Sequence, residues 1–273
     1  MSKKPRIRSS DTYGEDYKPL NQEKENIKLT FRGDSFQMSG DKVFHTLQGE
    51  GPNIGKPATF IRLAFCNLAC SFCDSFYTWK KDTPEFWKET WNCQVADLKK
   101  YIQSAQLEKN LLLPCNYLVF TGGEPLLQQL KIIHFLNQNL EFTAEIETNG
   151  TILPDKSLIE LITQKRVSLN CSPKLKFSGN NFKKRLNQKV LESINQYSST
   201  TFKFVCEKPL DLDEIKSNYA FLDIDKIYVM PEGVTKEENT AVYEKINTKL
   251  ISYGYKTTPR LQNIMFDGAK RGV

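Results

Sequence analysis

The chain has 273 residues, 39% hydrophobic and 26% charged, and its 38 basic and 32 acidic side chains leave a net charge of +6. That length suits one large domain or two small ones, and the composition excludes a wholly disordered chain. No apolar run approaches the roughly 20 residues that cross a bilayer, and the basic start at Met1 lacks the apolar core of a secretion signal, so a cytoplasmic protein is expected.

Residues 1–40 are polar, charged and without apolar periodicity, and read as a polar N-terminal extension. From residue 41 to 273 short apolar runs alternate with helical patterns, as in a single domain. Gln48-Gly-Glu-Gly-Pro-Asn-Ile-Gly55 is a glycine-rich connector; no Gly-Lys-Ser/Thr follows, which excludes a P-loop. Thr59–Phe65 is strand-like, and Arg62 within it is either a core-edge arginine with a carboxylate partner or a clamp for a ligand carboxylate. A loop with three cysteines follows. Val95, Leu98, Tyr101 and Ile102 share one helix face.

Tyr117–Phe120 is a buried-strand run ending in Thr121-Gly-Gly-Glu-Pro125, and the next helix carries Leu127, Leu130, Ile133, Leu136 and a packing His134. Strands are expected at 142–147, 166–171, 201–206 and 226–230, with helices near 155–164, 182–197, 211–218 and 235–251. Arg260–Phe266 reads as a further strand or an extended closing segment. Repeated βα units imply an α/β fold with a parallel sheet and right-handed crossovers. About six strands are too few for a closed eightfold barrel and suit a partial (β/α)6 barrel with an open sheet. Cys66–Asp74, Thr121–Glu124, Glu147–Asn149, Ser172–Lys174 and Met230–Gly233 all follow strands, on the carboxyl-terminal rim where such sheets bind ligands.

Seven cysteines stand beside two histidines. Their odd number argues against a full disulfide framework, and Cys93, Cys115, Cys171 and Cys206 read as small core fillers. Cys66-x3-Cys70-x2-Cys73 differs, because three thiols so close can wrap one metal centre from a single loop. A structural zinc wants four protein ligands, and neither Cys93 nor His45 has finger-like spacing. Thiolates without nearby histidine favour an iron–sulfur cluster, three of them leaving one iron open, although zinc stays open on spacing alone. The Gly122-Gly123 pair permits close backbone approach to a ligand, and Glu124 could receive an ammonium group.

Cys66-x3-Cys70-x2-Cys73 with Gly122-Gly-Glu124 resembles the radical S-adenosylmethionine (SAM) superfamily. Phe44-His-Thr-Leu-Gln-Gly-Glu-Gly51, Phe60-Ile-Arg-Leu63, Cys73-Asp-Ser-Phe-Tyr-Thr-Trp79, Glu147-Thr-Asn-Gly-Thr151, Ser172-Pro-Lys174 and Lys270-Arg-Gly-Val273 narrow it. Together, from about Lys42 to Val273, they resemble the 7-carboxy-7-deazaguanine synthase family. The resemblance implies a radical-SAM-type partial barrel and a [4Fe-4S] cluster on Cys66, Cys70 and Cys73, whose fourth iron chelates SAM. It implies a carbon–nitrogen lyase in which a 5′-deoxyadenosyl radical takes a hydrogen from 6-carboxy-5,6,7,8-tetrahydropterin. The ring contracts, ammonia leaves, 7-carboxy-7-deazaguanine forms on the way to queuosine, and SAM is regenerated.

By position, Leu47, Gln48, Gly49, Arg62, Thr121 and the carboxylate of Val273 would hold the substrate. Phe72, Cys73, Asp74, Gly123, Ser172, Pro173 and Lys174 would contact SAM, with Glu124 on its ammonium, and Ser75 would offer a hydroxyl to Mg²⁺. An external flavodoxin- or ferredoxin-type electron donor and a homodimer are implied; no membrane or nucleic acid is. Departures are Ser75 where many members have Thr, Gln262 where some have His, and Phe266-Asp-Gly-Ala269 where a Trp-Gly-Asn stretch occurs. A glycyl-radical activating enzyme shares the cysteine spacing but lacks support from Gln48–Gly51. A zinc-stapled module binding RNA through the net charge is disfavoured by the dispersal of the basic residues.

Overall fold

A computed structural model describes residues 33–40 and 42–266. Among them the strands are β1 (Ser35–Ser39), β2 (Phe44–Leu47), β3 (Pro57–Leu63), β4 (Thr90–Gln94), β5 (Tyr117–Gly122), β6 (Thr143–Thr148), β7 (Val167–Cys171), β8 (Thr200–Cys206), β9 (Ile227–Pro231) and β10 (Lys256–Thr257). The α-helices are α1 (Pro84–Glu89), α2 (Leu98–Leu107), α3 (Gln129–Gln138), α4 (Lys156–Thr163), α5 (Phe182–Arg185), α6 (Gln188–Asn195), α7 (Pro209–Asn218), α8 (Lys236–Tyr253) and α9 (Leu261–Phe266). The sheet runs β10-β9-β8-β7-β6-β5-β3-β1-β4, with β2 also paired to β3.

Strands β3, β5, β6, β7, β8 and β9 are parallel neighbours in chain order. Right-handed crossovers that always step the same way put their helices on one face, and a twisted sheet wound so curls towards a barrel. It stays open between β10 and the β1–β4 flank, the partial barrel expected.

Alternation of side chains sorts the two faces. Ile61, Phe120, Ile146 and Leu169 lie side by side across four strands, fully buried against the helices. The row one residue on faces the barrel interior, with Arg62, Thr121 and Glu147 lining its cavity and Asn170 beside them bonded to Glu145 (3.2 Å). A second apolar cluster, Phe44, Ala58, Phe60, Tyr117 and Val119, holds β2 to the interior side. The polar positions inside otherwise apolar strands thus line a site.

Several expectations are corrected. Ser35–Ser39, assigned to the extension, is a buried strand inside the sheet, with Phe36 and Met38 in the main core; a five-residue strand is too short for periodicity to reveal. Residues 1–32 lie outside the described residues. The helix expected over 182–197 is two, because Leu186 is extended between α5 and α6. His134 is exposed rather than packed, since α3 buries Ile132, Ile133, Phe135 and Leu136 instead. Arg260–Phe266 is not a strand: β10 already occupies the edge beside β9, and the segment turns into α9 across the rim. Cys93, Cys171 and Cys206 are buried, whereas Cys115 is half-buried. No helix among the described residues is long and apolar enough to cross a membrane.

Candidate active site

The cysteine loop begins where β3 ends. Ala64 N donates to Gln37 O, and Phe65 sits at φ +75°, a left-handed conformation that a bulky side chain adopts only when its surroundings impose it. The imposing contacts are Gly123 N to Leu63 O (2.9 Å), Glu124 N to Phe65 O (2.7 Å) and Phe65 N to Thr78 O (2.6 Å). Gly123 must lack a side chain here, because a Cβ would lie 2.0 Å from Phe65 O. Two separated sequence motifs, Gly122-Gly-Glu and the cysteine loop, are therefore bonded through their backbones.

Cys66, Cys70 and Cys73 all line one cavity of about 320 Å³ at the carboxyl ends of the strands. Each sulfur accepts a hydrogen bond: Cys66 from Leu68 N (3.4 Å), Cys70 from Asn180 Nδ2 (3.2 Å) and Cys73 from Trp79 Nε1 (3.3 Å). Burial pushes the thiols up, those of Cys66 and Cys73 to about 12, so their deprotonation requires a positive partner. The three thiols line the cavity from one loop, and no histidine stands among the described residues lining it. One zinc needs its ligands about 2.3 Å from one point, whereas a cluster gives each thiolate its own iron. The residues fit a three-thiolate cluster better than zinc.

The other expected residues divide. Leu47, Gln48, Gly49, Arg62, Phe72, Asp74, Ser75, Thr121, Gly123, Ser172 and Lys174 line the same cavity. Glu124 does not: it is fully buried, and its carboxylate accepts from Leu126 N (2.9 Å), Thr148 Oγ1 (2.8 Å) and Asn149 N (2.7 Å). It ties the ends of β5 and β6 together, and burial raises its pKa despite those donors. Pro173 is buried behind the lining, and Val273 lies outside the described residues. Ser75 accepts from Arg62 Nη1 (3.3 Å) and donates to Asp74 Oδ1 (3.0 Å), while Lys174 Nζ donates to Ser172 Oγ (2.8 Å).

Two charge networks went unassigned in the sequence. In the first, Gln48 Nε2 donates to Glu145 and to Glu147 Oε1 (3.2 Å), and Thr121 Oγ1 donates to Glu147 Oε2 (2.5 Å). Burial and then the neighbouring Glu147 raise the pKa of Glu145, which Asn53, Tyr117 and Asn170 also contact. In the second, Glu50 pairs with Lys203 and with Arg260 Nε (3.2 Å), and Arg260 reaches on to Asp74. Burial opposes ionisation of Glu50, but Lys203 and Arg260 hold its pKa down at about 2. Glu50 stood in a quoted motif without a role; Lys203 carried a signal only as a charge inside the apolar run Phe202–Val205.

Sequence comparison gives 29% identity over 255 residues, 87% of this chain and 93% of the relative, with 7-carboxy-7-deazaguanine synthase of Halobacterium salinarum. It gives 30% over 241 residues, 85% and 87%, with that of Rhodopirellula baltica, and 30% over 230 residues, 81% and 89%, with that of Hyperthermus butylicus. The chain belongs to the 7-carboxy-7-deazaguanine synthase family. No family model matches it. The fold agrees with the crystal structure of QueE from Escherichia coli, with a TM-score of 0.59 at 23% identity over 83% of this chain and 94% of that one. Membership of the 7-carboxy-7-deazaguanine synthase family bears out the resemblance carried by the motifs. It places the chain among enzymes and leaves the RNA-binding and glycyl-radical readings without support.

Proposed function

We propose that the protein is a radical SAM carbon–nitrogen lyase that converts 6-carboxy-5,6,7,8-tetrahydropterin to 7-carboxy-7-deazaguanine with loss of ammonia. The observation that carries this reading is the meeting, in one cavity, of three hydrogen-bonded thiols with Arg62, Thr121 and the Gln48–Glu147 pair. Cys66, Cys70 and Cys73 would hold a [4Fe-4S] cluster. When bound, cluster and SAM together supply the carbon radical that starts the chemistry, given one electron from an external flavodoxin- or ferredoxin-type donor.

The chain's own residues bind and orient. Arg62 has its charge favoured, against the effect of burial, by Tyr77, Asp74 and Glu147, so it remains cationic and can take the substrate carboxylate as a planar fork. Leu47, Gln48, Gly49 and Thr121 form the wall beside it, and Glu147 offers acceptors to pterin N–H groups. Val273 belongs to the same proposed set. Phe72, Cys73, Asp74, Gly123, Ser172 and Lys174 form the SAM side, Pro173 bracing it from behind. Glu124 acts there indirectly, by fixing the Gly122–Gly123 and Asn149 backbone. Ser75 Oγ, between Arg62 and Asp74, is the protein oxygen for Mg²⁺, an ion that keeps several waters.

Purification without oxygen should give a coloured, iron-containing protein that forms the deazaguanine from the carboxy-tetrahydropterin with SAM, a reductant and Mg²⁺. A colourless zinc protein would sink the radical reading. An intact cluster that cleaves SAM without yielding the deazaguanine would remove the substrate assignment alone. The family reading extends to a homodimer, which sedimentation as a monomer would contradict.

A further inference from the structure

We propose that Trp79 and Asn180 are positioning residues that set the reduction potential of the centre held by Cys66, Cys70 and Cys73. The inference rests on the proposed function and goes beyond it, since neither residue has a role in binding SAM or substrate. Trp79 is half-buried in the cavity wall and donor-only through its indole N–H. Trp87 and Trp91 donate to backbone carbonyls, Lys81 O at 2.8 Å and Gly40 O at 2.7 Å. Trp79 instead donates to Cys73 Sγ at 3.3 Å.

Asn180 is oriented by its own contacts. Its Oδ1 accepts from Ala69 N (3.0 Å), which turns Nδ2 to Cys70 Sγ (3.2 Å). It is held by the turn after β7, which clasps the cysteine loop through Ser71 N to Ser178 O (3.0 Å) and the stacked rings of Phe72 and Phe177, 4.7 Å apart. Cys66 accepts from Leu68 N (3.4 Å) and from Asn149 Nδ2 (3.9 Å), so every one of the three sulfurs has an N–H donor.

Such bonds to a neutral thiol are weak, but to a thiolate they are charge-assisted and strengthen as negative charge accumulates. A one-electron reduction adds that charge, and hydrogen bonds to cluster sulfurs are among the levers that set cluster potentials. Removing a donor therefore disfavours the reduced state more than the oxidised one and lowers the midpoint.

The test is an EPR-monitored redox titration of the anaerobically reconstituted protein. Trp79→Phe keeps the ring and loses the N–H. Asn180→Asp keeps the acceptor for Ala69 N, loses the donor and adds a negative charge beside Cys70, so both changes push the midpoint down, whereas Trp79→Phe tests the lost bond alone. Each should reduce the reduced-to-oxidised ratio at the wild-type midpoint about tenfold, a downward shift of about 59 mV for one electron, while Trp87→Phe leaves it unchanged. Unshifted midpoints in iron-loaded Trp79→Phe and Asn180→Asp would overturn the proposal. A second readout needs no variant: in wild-type protein labelled with ¹⁵N-indole tryptophan, pulsed EPR of the reduced cluster should show coupling to the indole nitrogen. Its absence in iron-loaded protein overturns the role of Trp79, however the variants behave. A chain that assembles no four-iron cluster overturns the functional reading itself, and this inference with it.

Discussion

At the scale of single residues, the site depends on positions where a missing atom matters as much as a present one. Gly123 and Gly55 make the contrast. A methyl at Gly123 would meet the backbone oxygen of Phe65, which cannot swing aside, while one at Gly55 meets nothing within 4 Å and suffers only from its φ of +82°. Gly55→Ala should lower stability by about 1 kcal/mol and leave iron content unchanged. Gly123→Ala should cost roughly 1–3 kcal/mol and reduce iron per chain, because it displaces the turn that presents Cys66. Thermal melts and iron analysis separate the two, and full iron loading in Gly123→Ala would show that the Phe65 turn is dispensable. Cys70→Ala should abolish iron loading and turnover together. Arg62→Ala should raise the substrate KM by about tenfold or more, the loss of one charge-assisted contact, with a smaller effect on kcat. An unchanged KM would remove Arg62 from the carboxylate.

At the scale of elements, the parallel strands were legible and the antiparallel flank was not. Tyr117–Phe120 is an unbroken apolar run that ends in a polar cluster, and Phe202–Val205 is apolar at every position but Lys203. By contrast β1, β2 and β4 are four or five residues long and mix His45, Thr46, Asn92 or Gln94 with apolar neighbours. β1 finds its partners far along the chain, Met38 opposite Leu63 and Ser35 opposite Gln94 on β4, while β2 pairs with the next strand but across a loop with no hairpin signal. The closing helix is hidden for the same reason. Arg260 meets Glu50 across 210 positions, and Lys203 meets it across 153, so neither pair has a local pattern. The cysteine loop could be read because its ligands come from one stretch; the charge network could not, because it exists only once the barrel is wound.

That network makes a prediction for the element it anchors. Leu261 N donates to Gly49 O, Arg260 joins Glu50, Asp74 and Gly233 O, and Gln262 Nε2 donates to Glu50 Oε1 (2.7 Å), so α9 is fastened to the glycine-rich connector by one backbone bond and two side chains, of which only Arg260 carries charge. Breaking a buried ion pair from one side costs roughly 3–5 kcal/mol. In Arg260→Met the amide of Leu261 should exchange at least about 100-fold faster, while Ile146 on the central strand β6 keeps its protection. Unchanged protection of Leu261 would mean that α9 is held by Gln262, Asn263 and packing and not by Arg260.

At the scale of the whole molecule, buried carboxylates pull in opposite directions as pH falls. Burial raises the pKa of Glu124, Glu145 and Asp211, so these groups oppose folding while ionised and cease to do so on protonation. Glu50 is the reverse. Lys203 and Arg260 overcome its burial and lower its pKa from the usual 4.5 to about 2. A carboxylate lowered in this way contributes stability that is fully present above about pH 4.5 and is lost as pH falls towards 2. The drop corresponds to about 3 kcal/mol at neutral pH. Glu50→Gln keeps the size of the side chain and removes only the charge, so it should be less stable than the parent by about that amount at pH 7. Denaturant midpoints of the two chains, measured at the same series of pH values, should then converge between pH 4.5 and 2, because the raised carboxyls are common to both and cancel in the difference. A gap that stays constant over that range would mean that Glu50 is held by hydrogen bonds to a neutral acid, and that the Lys203–Glu50–Arg260 chain does not lock the closing segment over the cavity by charge.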